Sequence, residues 1–357
     1  MSQNLFFTVG PAQLFYTIKQ HLNAALNEDI GSISHRGKEF QSIFAETRQG
    51  LRALLSVPDD YEIYFVSSAT EIWERIIQNL VVSSTHHFVN GSFSQRFYDF
   101  TDNYRLDSSS HTVNFGEEYS DFSVPEKAEL ISVTYNETST GYVFNPNNLS
   151  ALRKQNPNKL IALDVVSAVP GIPVDLNLVD TAYFSVQKCF GLPAGLGVWI
   201  VNQKCIDKAK EKEKSGLVTG SLHALSSLKS NGDKNMTPET PNVMAIYLLN
   251  KVVQDMLNKG VKNIHNETIY KAVTLYNTIE QSSVLSPFIE NIENRSKTVC
   301  VAKVRDGNNA LIEQMKAKNL IIGSGYGPYK SEHIRIANFP THSKEQIEML
   351  ADLLASL

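Results

Sequence analysis

Residues 61–82, YEIYFVSSATEIWERIIQNLVV, combine a strand pattern, a turn and a helix pattern in one continuous stretch. The first six residues are aromatic or aliphatic apart from Glu62, and such a run is typical of a strand. A turn of small residues follows, and after it apolar side chains recur with the helical period. The runs KLIALDVVSA (159–168), TAYFSV (181–186) and GVWIV (197–201) predict further strands between helical segments. This alternation predicts an α/β fold.

Composition and charge narrow the class of protein. The chain has 357 residues, and its 33 Lys and Arg oppose 37 Asp and Glu, which gives a net charge of −4. A mildly acidic chain without a basic block offers nucleic acid little to bind. The three cysteines show no CxxC spacing, so we expect neither disulfides nor a metal site. The start, MSQNLFFTVGPAQL, lacks a basic region and a long apolar run, and we therefore expect a soluble cytoplasmic protein without membrane contact.

The length predicts more than one domain. We expect a large cofactor-binding domain over residues 16–250 and a small C-terminal domain over residues 251–357, joined by the N-terminal segment 1–15. Between residues 208 and 235 the sequence is polar and rich in Gly and Ser, which predicts a long mobile excursion.

Lys188 and Asp164 are the first candidates for chemistry. Lys188 is the one lysine in the apolar stretch YFSVQKCFGLPAGLGVWI (183–200). Burial lowers the pKa of a lysine, and a neutral amine is the nucleophile that attacks a carbonyl. Asp164 ends the strand KLIALD, and ligands of α/β sheets bind at such carboxyl ends. If Lys188 holds pyridoxal phosphate, an acid such as Asp164 is needed beside the ring nitrogen. The alternatives are a solvated lysine and an aspartate that caps a turn.

Three further stretches bear on phosphate, carboxylate and nucleotide binding. VSSAT (66–70) joins a strand to a helix, where backbone N–H groups can bind a phosphate, although Ser68 and Glu71 also fit a plain capping box. Arg335 lies in the predicted strand EHIRIANF, and its planar guanidinium could bind a substrate carboxylate through two hydrogen bonds. The alternative is an arginine that faces water on an edge strand. The glycine-rich GSGYGPYK (323–330) precedes a strand instead of following one, which argues against a nucleotide site.

Eight motifs resemble one family in their order along the chain. They are FFTVGPAQL, SISHRGKEF, VPDDYEIYFVSSAT, VNGSFSQRF, VTYNETSTGYVF, LDVVSAVPGIPVDL, YFSVQKCFGLPAGLGVWIV and MTPETPNVMAIYLL. By these motifs the chain is identified as a class-V aminotransferase of pyridoxal-phosphate fold type I, most similar to the phosphoserine aminotransferases. The resemblance implies a mostly parallel central sheet flanked by helices and a smaller α+β C-terminal domain. It also implies pyridoxal 5′-phosphate as cofactor, amino acid and oxo acid substrates, and a homodimer with shared active sites.

The resemblance implies a role for each matching residue. Lys188 would bind the cofactor covalently, and Asp164 would contact its ring nitrogen. The other cofactor contacts would come from Ala69, Thr70, Phe93, Thr138, Gln187 and, in the neighbouring subunit, Thr237. The acidic groups of the substrates would be bound by His35, Arg36 and Arg335.

The implied reaction moves an amino group from glutamate to 3-phosphohydroxypyruvate, but the sequence departs from the family at several places. Ser67-Ser68, Thr70 and Met236 stand where the family has a glycine pair, a basic residue and an asparagine. Phe93 stands where the family has a tryptophan, and SGYGPYKSEH (324–333) lacks a His-Arg pair that would bind the substrate phosphate. The alternative function is therefore an alanine or serine aminotransferase that uses glyoxylate or pyruvate. A non-catalytic binding protein on the same fold is a further alternative.

Overall fold

The computed structural model describes residues 4–217, 220, 222 and 224–356. Within these ranges eleven α-helices form: α1 (Ile18–Asn27), α2 (Lys38–Leu55), α3 (Ala69–Leu80), α4 (Ser92–Asn103), α5 (Pro146–Gln155), α6 (Gln203–Lys214), α7 (Leu225–Gly232), α8 (Val243–Lys259), α9 (Val261–Gln281), α10 (Asn309–Ala317) and α11 (Lys344–Ala355). The same ranges contain fourteen strands: β1 (Leu5–Phe7), β2 (Glu62–Val66), β3 (Thr85–Val89), β4 (Ser109–Thr112), β5 (Leu130–Thr134), β6 (Asn136–Glu137), β7 (Tyr142–Val143), β8 (Leu160–Asp164), β9 (Thr181–Ser185), β10 (Gly197–Val201), β11 (Leu285–Pro287), β12 (Val299–Val304), β13 (Leu320–Ser324) and β14 (His333–Ala337). None of these helices combines the length and the apolar character that crossing a membrane would require.

Seven strands form the large sheet, in the order β2-β10-β9-β8-β5-β3-β4. β10 runs antiparallel to β2 and β9, and the other neighbours are parallel. Ile63 and Phe65 of β2 share a core with side chains of α2 and α8, whereas Tyr64 and Val66 share another with side chains of α3 and α6. Both faces are therefore covered, which explains why the central strands β8, β9 and β10 are almost entirely apolar. The prediction of an α/β fold with a mostly parallel central sheet flanked by helices is confirmed.

Five strands form a second sheet, in the order β1-β13-β14-β12-β11. β1 is parallel to β13, and the other neighbours are antiparallel. Leu275 of α9 and Leu350 of α11 share a core with Phe7 of β1 and Ile336 of β14. The N-terminal strand thus belongs to the sheet that the C-terminal third builds. The division of the chain at residue 250 stays a prediction, and that residue lies within α8.

Most of the segment 208–235 is helical. α6 extends to Lys214, and α7 covers Leu225–Gly232. Ile206, Ala209 and Lys212 bury one face of α6, and the Lys212 Nζ donates hydrogen bonds to the carbonyls of Ile77, at 3.2 Å, and Val81. Buried positions recur at helical spacing beneath the charged residues of α6, which explains the helix there. The mobility of the segment stays a prediction. Residues 218, 219, 221 and 223 of the segment lie outside the described ranges.

Candidate active site

One pocket at the carboxyl edge of the large sheet contains both Lys188 and Asp164. Asp164 is the last residue of β8, and Lys188 follows the end of β9, the next strand in the sheet. Adjacent parallel strands end at the same edge, so these two side chains meet although they are far apart in sequence. The other lining residues are Ala69, Thr70, Trp73, Phe93, Thr134, Asn136, Thr138, Val166, Ser185 and Gln187.

The Lys188 amine is buried, with 6% of the residue exposed. Its Nζ donates a hydrogen bond to Thr138 Oγ1 at 2.6 Å and lies 5.0 Å from the centroid of the Phe93 ring. Gly10 lies against the stem, where an added Cβ would stand 3.1 Å from Lys188 Cε. Burial lowers the pKa of Lys188 to about 8, because desolvation outweighs the attraction of Asp164. A neutral amine is therefore available near neutral pH.

Asp164 is equally buried and has little to stabilise its charge. Its Oδ1 accepts a hydrogen bond from the N–H of Val166 at 3.0 Å. No Lys, Arg or His of the described ranges makes a salt bridge with it. Burial raises the pKa of Asp164 to about 7, against the opposing effects of the Val166 N–H and of Lys188. A cationic N–H group placed in this pocket would find a carboxylate that makes no salt bridge with the described part of the chain.

A phosphate-sized anion would find donors at the start of α3. The Ser68 Oγ caps this helix by accepting a hydrogen bond from the N–H of Glu71 at 3.1 Å. The N–H of Ala69 donates to Ser185 Oγ at 2.7 Å, so a backbone donor and a hydroxyl meet at the positive end of the helix dipole. Gly197 lies against this turn, since an added Cβ would stand 2.6 Å from the carbonyl carbon of Ser68. Sequence reasoning missed Ser185, whose position at the end of β9 was the available signal.

Two buried oxygen atoms in the pocket accept no hydrogen bond from any residue that the structure describes. They are Oε1 of Gln187 and Oδ1 of Asn136. The amide nitrogen of Asn136 bonds to Ser167 and Thr298 instead, which fixes the orientation of its oxygen. Buried polar atoms are almost always paired, so these two oxygens indicate a place for a ligand or for water.

Glu137 is a second residue that sequence reasoning missed. It is fully buried, and its carboxylate accepts hydrogen bonds from the N–H of Ser94 at 2.9 Å and the hydroxyl of Ser139 at 2.6 Å. An added Cβ on Gly91 would stand 2.3 Å from its Cγ, so only glycine allows this approach. Glu137 therefore fixes the start of α4 and with it the position of Phe93.

Arg335 connects the second sheet to the pocket. Its Nε donates to the carbonyl of Ser324 at 2.8 Å, and its Nη1 donates to the carbonyl of Thr138 at 3.3 Å. The guanidinium carbon lies 5.1 Å from the centroid of the Tyr326 ring, which in turn contacts the Phe93 ring in a tilted arrangement with centroids 5.4 Å apart. Burial lowers the pKa of Arg335 to about 10, so the group stays a cation. Tyr326 was not predicted, because its contacts join distant parts of the chain.

The predicted residues His35, Arg36 and Thr237 do not line the Lys188 pocket of their own chain. The Arg36 guanidinium donates hydrogen bonds to the carbonyls of Thr237, at 3.0 Å, and Pro238, at 2.9 Å. Thr237 is buried, and its hydroxyl donates to the carbonyl of Glu239 at 2.7 Å. These residues therefore form a separate cluster in which Arg36 fixes the backbone around Thr237.

Comparison with known proteins gives one family. The family model described as Aminotransferase class-V matches residues 7–94 and 101–328. A phosphoserine aminotransferase from Rhodococcus opacus is 27% identical over 353 residues, which cover 96% of this chain and 92% of the relative.

Solved structures show the same fold. A crystal structure described as a phosphoserine aminotransferase from Cytophaga hutchinsonii is 41% identical and superposes with a TM-score of 0.98, covering 100% of this chain and 99% of the other. An alanine–glyoxylate aminotransferase from Nostoc sp. superposes with a TM-score of 0.85 at 20% identity, over 100% of this chain and 95% of the other, which establishes a common fold alone.

Proposed function

The chain belongs to the class-V aminotransferase family, and from this premise we propose that it transfers the amino group of glutamate to 3-phosphohydroxypyruvate, forming phosphoserine. It is a pyridoxal-phosphate-dependent transaminase. The pocket that Lys188 and Asp164 share carries the chemistry. The choice of substrate is supported by the 41% identical protein from C. hutchinsonii and the 27% identical protein from R. opacus, both described as phosphoserine aminotransferases.

The residues of the pocket fit pyridoxal phosphate. At the start of α3 the N–H of Ala69 bonds to the Ser185 hydroxyl, whose own hydrogen can be donated to a phosphate. The Gln187 and Asn136 oxygens accept no hydrogen bond from the described residues and leave polar atoms for a ligand. In this assignment the phosphate group is held by Ala69, Thr70, Ser185 and Gln187, the ring by Phe93, Thr138 and Asp164, and the reactive carbon by Lys188. The bound cofactor supplies a carbon that accepts the amino group and a ring that accepts electrons.

Lys188 acts as the base and the acid of the reaction. Because burial lowers its pKa to about 8, its Nζ can remove the proton from the substrate Cα and return a proton as an ammonium group. The 2.6 Å hydrogen bond to Thr138 orients the amine. Arg335 binds the α-carboxylate that both substrates share. Two of its nitrogens are already fixed by carbonyls, and no carboxylate of the described residues forms a salt bridge with it.

The proposal includes a homodimer in which Thr237 serves the cofactor phosphate of the neighbouring subunit. Thr237 lies outside the Lys188 pocket of its own chain, and Arg36 fixes its backbone. The same assignment places the protein in serine biosynthesis in the cytoplasm.

Separate half-reactions test the substrate. The holoenzyme is mixed with phosphoserine, glutamate, serine or alanine, and the change in visible absorption is followed. We expect phosphoserine and glutamate to react with a kcat/KM about 100-fold or more above that of serine and alanine, because a site built for an acidic group discriminates against its absence. Equal kcat/KM values for phosphoserine and serine would refute a phosphate-specific site.

One observation favours the second candidate function. Lys330 is the one cation of residues 325–330, and it is exposed, whereas Tyr326 lies beside Arg335. An enzyme with so little positive charge here would act on alanine or serine with glyoxylate or pyruvate. In that case alanine or serine would react faster than phosphoserine in the same half-reactions.

A further inference from the structure

We propose that Tyr326 is a positioning residue that holds the Arg335 guanidinium for substrate carboxylates and supports the Phe93 face of the pocket. This inference rests on the proposed function in one respect, namely that Arg335 binds the α-carboxylate. The contacts form one series: Lys188 Nζ lies 5.0 Å from the Phe93 centroid, the Phe93 and Tyr326 centroids are 5.4 Å apart, and Arg335 lies 5.1 Å from Tyr326.

The turn that carries Tyr326 is fixed independently of any ligand. The N–H of Gly325 donates to the carbonyl of His333 at 2.6 Å, and the N–H of Tyr329 donates to the carbonyl of Tyr326 at 3.2 Å. An added Cβ on Gly325 would stand 1.9 Å from the Tyr329 carbonyl oxygen, and Gly327 has a φ of +55°, a left-handed conformation that favours glycine. The glycines of this segment therefore shape a turn that presents the tyrosine ring.

Arg335 is held in a way that preserves its charge for a ligand. Carbonyl oxygens accept hydrogen bonds from Nε and Nη1, and the Tyr326 ring covers the guanidinium, but no described residue accepts a hydrogen bond from Nη2. A neighbouring carboxylate would neutralise the cation and compete with the substrate. An aromatic face attracts the guanidinium without neutralising it. Tyr326 thus orients Arg335 while leaving its charge for a substrate carboxylate.

The hydroxyl of Tyr326 makes none of these contacts, and its effect on Arg335 is electrostatic: the nearby phenol partly opposes the lowering of the Arg335 pKa by burial. Tyr326 is 38% exposed, and no side-chain hydrogen bond joins its hydroxyl to any residue of the described part of the chain. The ring alone makes the contacts with Phe93 and Arg335. A phenylalanine at this position should therefore preserve the function, whereas an aliphatic side chain of similar volume should not.

The test uses the holoenzyme and three variants, Tyr326→Phe, Tyr326→Leu and Tyr326→Ala. Binding of glutarate, a dicarboxylate without an amino group, is measured by titration calorimetry, and glutamate kinetics are measured in parallel. We expect the Leu and Ala variants to raise the glutarate Kd and the glutamate KM about 5- to 30-fold, with kcat changed less than about threefold. The Phe variant should stay within about twofold of the parent protein for both quantities.

Tyr329→Ala provides a control from the same turn. Tyr329 stacks on His333 with centroids 4.5 Å apart and makes no ring contact with Arg335, so this variant should leave the glutarate Kd unchanged. Unchanged glutarate binding in both the Leu and the Ala variants would overturn the proposal, as would a Phe variant that is as weak as Ala. Failure of the substrate proposal can be distinguished from failure of this one. If glutamate reacts and phosphoserine does not, the Tyr326 variants can still be compared with glutamate.

Discussion

Replacing Asp164 with asparagine should stabilise the cofactor-free protein and abolish transamination. Burial raises the pKa of Asp164 from 3.8 to about 7, so the carboxyl of Asp164 binds a proton more tightly in the folded protein than in the unfolded chain. The free energy of unfolding therefore falls as the pH rises from about 4 to about 7, and the loss is complete above pH 7. A pKa rise of this size corresponds to about 4 kcal/mol.

The side chain of the Asp164→Asn variant carries no charge, so the variant should not lose the free energy of unfolding that the parent loses when the buried carboxyl ionises. Because a buried amide needs hydrogen bonds of its own, we expect a net gain of about 2–4 kcal/mol at pH 8 and less than half of that at pH 5. Turnover of the holoenzyme should fall about 100-fold or more, since an amide cannot pair with a protonated ring nitrogen as a carboxylate does.

The assay is urea unfolding of the cofactor-free protein at pH 5 and pH 8, at equal protein concentration because the proposed dimer makes stability concentration-dependent. Asp180→Asn is the matched control. Asp180 is also buried, but it accepts hydrogen bonds from the N–H of Ile161 at 2.8 Å, the side chain of Asn202 at 2.9 Å and the guanidinium of Arg153. Loss of its charge would leave Arg153 without its carboxylate and should cost about 3 kcal/mol. If the Asp164→Asn protein is less stable than the parent at pH 8, or if its gain in stability does not shrink at pH 5, burial of the Asp164 charge does not destabilise the fold.

Three further changes test the site. Lys188→Ala should remove the visible absorption of the holoenzyme and lower turnover about 1000-fold or more, because the base is lost; residual turnover within tenfold of the parent would contradict its role. Gly197→Ala places a Cβ 2.6 Å from the Ser68 carbonyl carbon and should raise the cofactor Kd, measured by equilibrium dialysis, about tenfold or more. Gly31→Ala is the control, because its added Cβ would have its nearest neighbour 3.8 Å away, and it should leave the cofactor Kd unchanged. Hybrids of Lys188→Ala and Thr237→Ala chains should regain activity that neither variant has alone, since one site of each hybrid keeps both residues; no recovery in a proven hybrid would mean that Thr237 does not act across subunits.

The strands and the central pair of residues could be predicted because their signals are local. The apolar run that ends at Asp164 and the run that precedes Lys188 each predict a strand, and the rule that ligands bind at the carboxyl ends of parallel strands brings the two residues together. The one further fact that the structure supplies is that β8 and β9 are neighbours in the sheet, so that the two residues lie in one pocket.

The supporting residues could not be predicted because their contacts join distant parts of the chain. Glu137 is a buried carboxylate whose partners lie at the start of α4, and no sequence spacing reveals that. Tyr326 lies in a glycine-rich run, and the turn that this run forms places a ring beside Arg335. Strand β1 pairs Leu5 with Leu320, a register that no local pattern contains.

The reversed strand β10 makes the chain return across the sheet edge directly after Lys188. The connection 186–196 is closed by hydrogen bonds from the N–H of Val186 to the carbonyl of Leu196, at 3.2 Å, and from the N–H of Gly191 to the carbonyl of Lys188, at 2.9 Å. Ala194, on this connection, is exposed, whereas the three native cysteines are buried. A cysteine at position 194 would therefore be the accessible thiol for a fluorescent dye. Such a dye would report, in single molecules, on the loop that carries the reactive amine without touching the pocket.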